Sequence, residues 1–123
     1  MGTARGGGQS SKAKGRSAVA IVADLLRLTF HLGDGDVFVK ATSQGGCDVH
    51  LSPLALDVFP FAIEVKNVEA LNIWKALAQA QTNADGRTPI VFFKRARTQM
   101  YVALNAADFL FYVSQTQRLH ERS

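Results

Sequence analysis

Apolar residues recur along this chain with two periods, one helical and one alternating, and the switches between them predict its elements. Val19, Val22, Leu25, Leu26 and Phe30 return at helical spacing, and Ser17 can cap the start, so residues 17–30 read as a helix. Gly33-Asp34-Gly35-Asp36 is a turn, and Val37 to Ala41 a short strand. Gly45-Gly46 leads into Cys47-Asp48-Val49-His50-Leu51, which alternates in and out as a strand with one buried face does. Residues 52–57 read as a connection. Pro60 marks the start of a strand within the apolar run from Phe59 to Val68, and Asn67 ends it. Ala70, Ile73, Trp74, Leu77, Ala80 and Ala84 share one side of a second helix, which Asp85-Gly86-Arg87 terminates. The unbroken Ile90-Val91-Phe92-Phe93 within Pro89 to Lys94 predicts a central strand. Gln99 to Leu104 is a further strand, and a helix runs from Ala106 to about Gln117. The order α-β-β-β-α-β-β-α predicts an α/β fold, a mixed central sheet flanked by helices, without internal repeats.

At 123 residues and 47% hydrophobic content, the chain is expected to form one soluble domain. No apolar run reaches the roughly 20 residues that cross a bilayer, and the N-terminus lacks the apolar core of a secretory signal. The single cysteine, Cys47, can form no internal disulfide and has no companions for a zinc site, so a reducing, cytoplasmic setting is expected.

Charge divides the chain more sharply than hydrophobicity does. The whole net charge of +4 is carried by Arg5, Lys12, Lys14 and Arg16, in a leader of Gly, Ser and Lys that has almost nothing to bury. Residues 1–16 are therefore expected to be a flexible basic arm and residues 17–123 the folded domain. Such an arm can neutralise phosphates and become ordered on a nucleic acid, or simply solubilise the protein.

Ile63-Glu64-Val65-Lys66 carries the candidate chemistry. On a strand, Glu64 and Lys66 leave one face while Phe61, Ile63 and Val65 fill the other. Pairing this strand with the Asp48 strand would bring Asp48, Glu64 and Lys66 together. Cleaving a phosphodiester requires a water delivered to an anionic phosphorus and stabilisation of the charge that develops there. Hard divalent cations such as Mg²⁺ do both and prefer oxygen ligands. Asp48, Glu64 and the backbone carbonyl of Val65 would supply those ligands, and Lys66 would hold the attacking water or the phosphate. The bland alternative is a solvated strand ion pair worth about 0–1 kcal/mol.

Gly46-Cys47-Asp48-Val49, then Phe59-Pro60-Phe61-Ala62-Ile63-Glu64-Val65-Lys66-Asn67, then Trp74-Lys75-Ala76-Leu77-Ala78-Gln79-Ala80, then Pro89-Ile90-Val91-Phe92-Phe93-Lys94 resemble the PD-(D/E)xK nuclease superfamily. Within it, the pattern is similar to small phage-encoded nucleases and archaeal-type Holliday junction resolvases, over about Lys14 to Leu110. The resemblance implies a restriction-endonuclease-like α-β-β-β-α-β core and a Mg²⁺-dependent DNA endonuclease, with Mn²⁺ as a substitute. It also implies action on branched DNA and, usually, a homodimer, in a host cytoplasm if the chain is phage-encoded. Asp48, Glu64 and Lys66 take the metal-binding and catalytic places. One position departs: where the family's first helix commonly projects a Glu or Gln toward the metal, this chain has Val19. A valine neither binds metal nor orients water, so the alternative is a nucleic-acid-binding module that kept the fold and lost turnover.

Accessory candidates follow from the same pattern. Gln79 matches the family's helix glutamine, while Gln81 lies nearer the helix's apolar side; either one of the two reaches the edge of the site, or both are solvated or at a dimer contact. His50 shares a strand face with Asp48 and can touch a phosphate or stay solvated. Lys94, Arg95 and Arg97 form a basic cluster at the end of their strand, either on a nucleic-acid backbone or as a solvated turn. Trp74 is expected in the core or at a subunit contact. RNA substrates remain open.

Overall fold

The structure is a computed structural model that describes residues 11–43 and 45–122, with side chains described for 13–43 and 45–119. It is a mixed α/β fold whose elements run α1 (Ser11–Phe30), β1 (Val37–Ala41), β2 (Cys47–Leu51), α2 (Pro53–Val58), β3 (Phe61–Asn67), α3 (Ile73–Thr82), β4 (Thr88–Lys94), β5 (Tyr101–Ala103) and α4 (Ala106–Arg122). Among the described residues no helix is long and apolar enough to cross a membrane.

The strands form two sheets rather than the single central sheet expected. β1 and β2 make an antiparallel hairpin, while β3, β4 and β5 form a mixed sheet with β4 central, as its unbroken apolar run predicts. β3 and β4 are parallel, with α3 as the crossover between them. No ladder joins β2 to β3. They meet instead through side chains: Val49 of β2 shares one buried cluster with Phe61 of β3 and Val19 and Val22 of α1. Alternation specifies which face of a strand is buried but not which edge is paired, and here the β2 edge stops at a cleft.

α1 covers one face of the β3–β4–β5 sheet, where Ile63, Val65, Ile90 and Phe92 point, and α3 covers the other, where Ala76 and Ala80 pack on Val91. These alanines leave little side chain between helix and sheet. Trp74 does not join that contact. It is 79% exposed, which removes the core alternative of the two expected for it, because it sits about 100° around the helix from Ile73.

α1 starts at Ser11, inside the segment expected as an arm, rather than at Ser17. The Asn67 carboxamide donates to the Lys14 carbonyl at 3.1 Å, which ties this added stretch to the end of β3. At the other end, the Arg27 guanidinium donates to the Val37 carbonyl from Nε at 3.0 Å and from Nη2 at 2.7 Å. The connection expected over 52–57 holds a short helix instead. Ser52 caps it, accepting from the Ala55 amide at 3.1 Å while donating to the Asp36 carboxylate at 2.7 Å. The helix at the chain's end, α4, turns Tyr112 toward the core but leaves Phe109, Leu110, Phe111 and Val113 about half exposed or more.

Candidate active-site cleft

The unpaired margin between β2 and β3 opens into a cleft of about 920 Å³, floored by both strands and walled by α1 and α3. β3 turns alternate side chains to opposite faces, so Phe61, Ile63 and Val65 enter the α1 core while Glu64 and Lys66 lie on the α3 side. Lys66 Nζ stands 3.5 Å from Glu64 Oε2, both side chains less than a third exposed. Asp48 and His50 project from the exposed face of β2, opposite Val49 in the core, and both line the cleft. Asp48, Glu64 and Lys66 therefore meet in one cavity, although they reach it from separate sheets. Val65 lines it as well, so its backbone can contribute an oxygen there.

The accessory candidates separate. Gln79 lines the cleft and Gln81 does not. Helical angles explain the choice: Gln79 and Asn83, four residues apart, flank α3 on the side of β3, while Gln81 and Trp74 flank it on the other. The ring of His50 stacks on Phe38 at 5.7 Å between centroids. Lys94 and Arg95 border a different depression, beside Glu69 and Tyr101. There the Glu69 carboxylate accepts from the Ala96 amide at 2.7 Å, and the loop turns through Arg97 at φ 64°. That basic cluster does not line the cleft. Of the arm candidates, Lys14 is half-buried and Arg16 exposed on the first turns of α1; Arg5 and the Lys12 side chain lie outside the described residues.

Asn83, Asp85 and Arg87, at the end of α3 and in the turn to β4, also line the cleft and escaped the sequence reading of the site. The i, i+4 spacing of Gln79 and Asn83 was the available signal for the first; the other two were read only as a helix stop. Val19 stands in the α1 wall, 3% exposed, part of the core on one side and of the cleft lining on the other. Nothing polar projects there from this residue.

The donor set is two carboxylates and a carbonyl, all oxygen. Among the described residues no three His, Cys, Asp or Glu side chains gather as a ligand group. Such a sparse, hard set fits Mg²⁺, which keeps several of its own waters, and does not fit zinc, which takes four nitrogen or sulfur-rich ligands. Comparisons with protein-family models, with curated proteins and with solved structures find no match to this chain.

Proposed function

We propose that this chain is a metal-dependent endonuclease hydrolysing phosphodiester bonds in DNA, built on a restriction-endonuclease-like core of the PD-(D/E)xK type. The observation that carries the reading is the convergence of Asp48, Glu64 and Lys66 in one cleft large enough for a strand of nucleic acid. Asp48, Glu64 and the Val65 carbonyl would hold Mg²⁺ or Mn²⁺, which supplies Lewis-acid stabilisation of the phosphorane charge and lowers the pKa of water. Lys66 has a role of its own. Its ammonium, now beside Glu64, can turn to the phosphate oxygens or to the attacking water, exchanging one anionic partner for another without leaving the cleft. Gln79, on the opposite wall, can orient that water through its amide.

Branched DNA, such as a four-way junction, is the proposed substrate, by resemblance. A homodimer would present two clefts to two strands, and the exposed Phe109, Leu110 and Val113 on one side of α4 support burial against a second copy. Lys14 and Arg16, with Lys94, Arg95 and Arg97 farther off, would contribute phosphate contacts without reading sequence.

Cleavage of a labelled panel of duplex, single-stranded, flap and four-way DNA with Mg²⁺ or Mn²⁺, stopped by chelator, tests the proposal. Asp48→Ala and Lys66→Ala should each lower the rate by at least about 100-fold. Retained cleavage in either variant removes that residue from the mechanism. The second reading, a binding module without turnover, is favoured by the buried Val19 in the α1 wall. It calls for DNA binding that weakens steeply with salt and no cutting in any metal.

A further inference from the structure

We propose that Arg87 anchors the substrate backbone in this cleft, gripping a phosphodiester neighbouring the one hydrolysed; the inference rests on the endonuclease reading. The cleft is lined by the carboxylates of Asp48, Glu64 and Asp85, and a polyanion entering it needs a cation that is not already engaged. Two Lys or Arg side chains line it. Lys66 rests beside Glu64 at 3.5 Å and is assigned to the scissile phosphate or its attacking water, so it does not hold a neighbouring phosphate. Arg87 is exposed and makes no ion pair or side-chain hydrogen bond among the described residues.

The backbone fixes where that guanidinium starts. Arg87 N donates to the Ala84 carbonyl at 3.0 Å, across Asp85 at φ 53° and Gly86 at φ 81°. Two successive left-handed residues inside an i to i+3 hydrogen bond make a type I′ turn, a tight and inflexible connection. Glycine adopts this backbone freely and aspartate tolerates it, which is why Asp-Gly is a favoured pair for the turn. The turn hands the chain from α3 directly into β4, so Arg87 is set beside Gln79 and Asn83 on the α3 side of the cleft. Amide and guanidinium donors thus line the same cleft as the strands that carry Asp48 and Glu64. A phosphate backbone lying along the donor side would present its scissile bond to the carboxylates across from it. The planar fork of arginine suits two phosphate oxygens at once, a geometry that lysine does not reproduce.

The test measures binding of four-way and duplex DNA with Ca²⁺ in place of Mg²⁺ over a series of salt concentrations, beside cleavage in Mg²⁺ and Mn²⁺. Arg87→Ala should bind about tenfold more weakly, with a salt dependence reduced by about one phosphate contact. Arg87→Lys should recover only part of the loss. Lys75→Ala removes an equal charge from an exposed α3 position outside the cleft and should stay within about twofold of the parent. Arg87→Ala matching the parent in affinity and salt dependence overturns the proposal, as does Lys75→Ala weakening binding equally. A parent protein that binds with this dependence on Arg87 yet cuts nothing supports the anchor and overturns the endonuclease reading. One that binds no DNA overturns both.

Discussion

Replacing Val19 with Glu examines the weakest part of the cleft. Val19 is 3% exposed, and its side chain belongs at once to the α1 core and to the cleft wall. Losing a buried branched side chain costs about 1.5–3 kcal/mol. A further carboxylate brought into a cleft that already holds Asp48, Glu64 and Asp85 adds like-charge repulsion, so in chelator Val19→Glu should be about 2–4 kcal/mol less stable than the parent. The same repulsion is what a divalent cation relieves. With about 10 mM Mg²⁺ and a dissociation constant near ~1 mM, binding to the folded state restores about 1.4 kcal/mol. In a domain of this size that is a rise of roughly 5 °C in Tm. The parent, with one carboxylate fewer in the cleft, should gain less than about half as much. Thermal unfolding followed by circular dichroism, in chelator and in Mg²⁺, reads both numbers without any substrate. Adding Asp48→Asn to Val19→Glu should cancel the extra response. If Val19→Glu responds to Mg²⁺ no more than the parent, or if Asp48→Asn leaves the response intact, then the cleft does not hold a cation between these side chains.

Other outcomes follow from the same contacts. Ser52→Ala removes the cap of α2 and the hydroxyl partner of Asp36 together, and should cost about 1–2 kcal/mol in urea unfolding; a change below a few tenths would mean that the short helix needs no cap. Val113→Asp places a charge on the exposed apolar side of α4 and should convert a dimer to monomer in sedimentation. A parent protein that sediments as a monomer at every concentration removes the second copy from the proposal.

What was readable in advance follows the physics of each element. The faces of β2 and β3 were legible because a period of two admits only two answers, and burying Val49, Ile63 and Val65 turns Asp48, Glu64 and Lys66 outward. The partnership of the strands was not legible. No local pattern distinguishes a laddered neighbour from one that touches only through side chains, and so two sheets stood hidden behind one expected sheet. On α3 the apolar stripe was right in direction and too wide, which put Trp74 inside and left Gln79 and Gln81 undecided. The buried alanines at 76 and 80 mark the true line of contact; angle from it places Trp74 outside and Gln79 and Gln81 on opposite flanks, and only the position of the cleft chooses Gln79. The α1 boundary was lost because a glycine and three basic residues disguise a helix that gains its hold from Asn67, 53 positions away. Arg87 was passed over because its role comes from a turn that also happens to be a stop signal.

Because the hairpin bearing Asp48 and the strand bearing Glu64 share a greasy seam and no ladder, the aperture between the carboxylates is gauged by side-chain bulk. Val49 and Phe61 act as shims in that seam. Trimming or thickening either would reset the jaw by a fraction of a carbon radius while every backbone bond in both sheets stayed in place, so the width of this cleft is written in the bulk of two apolar side chains rather than in a ladder.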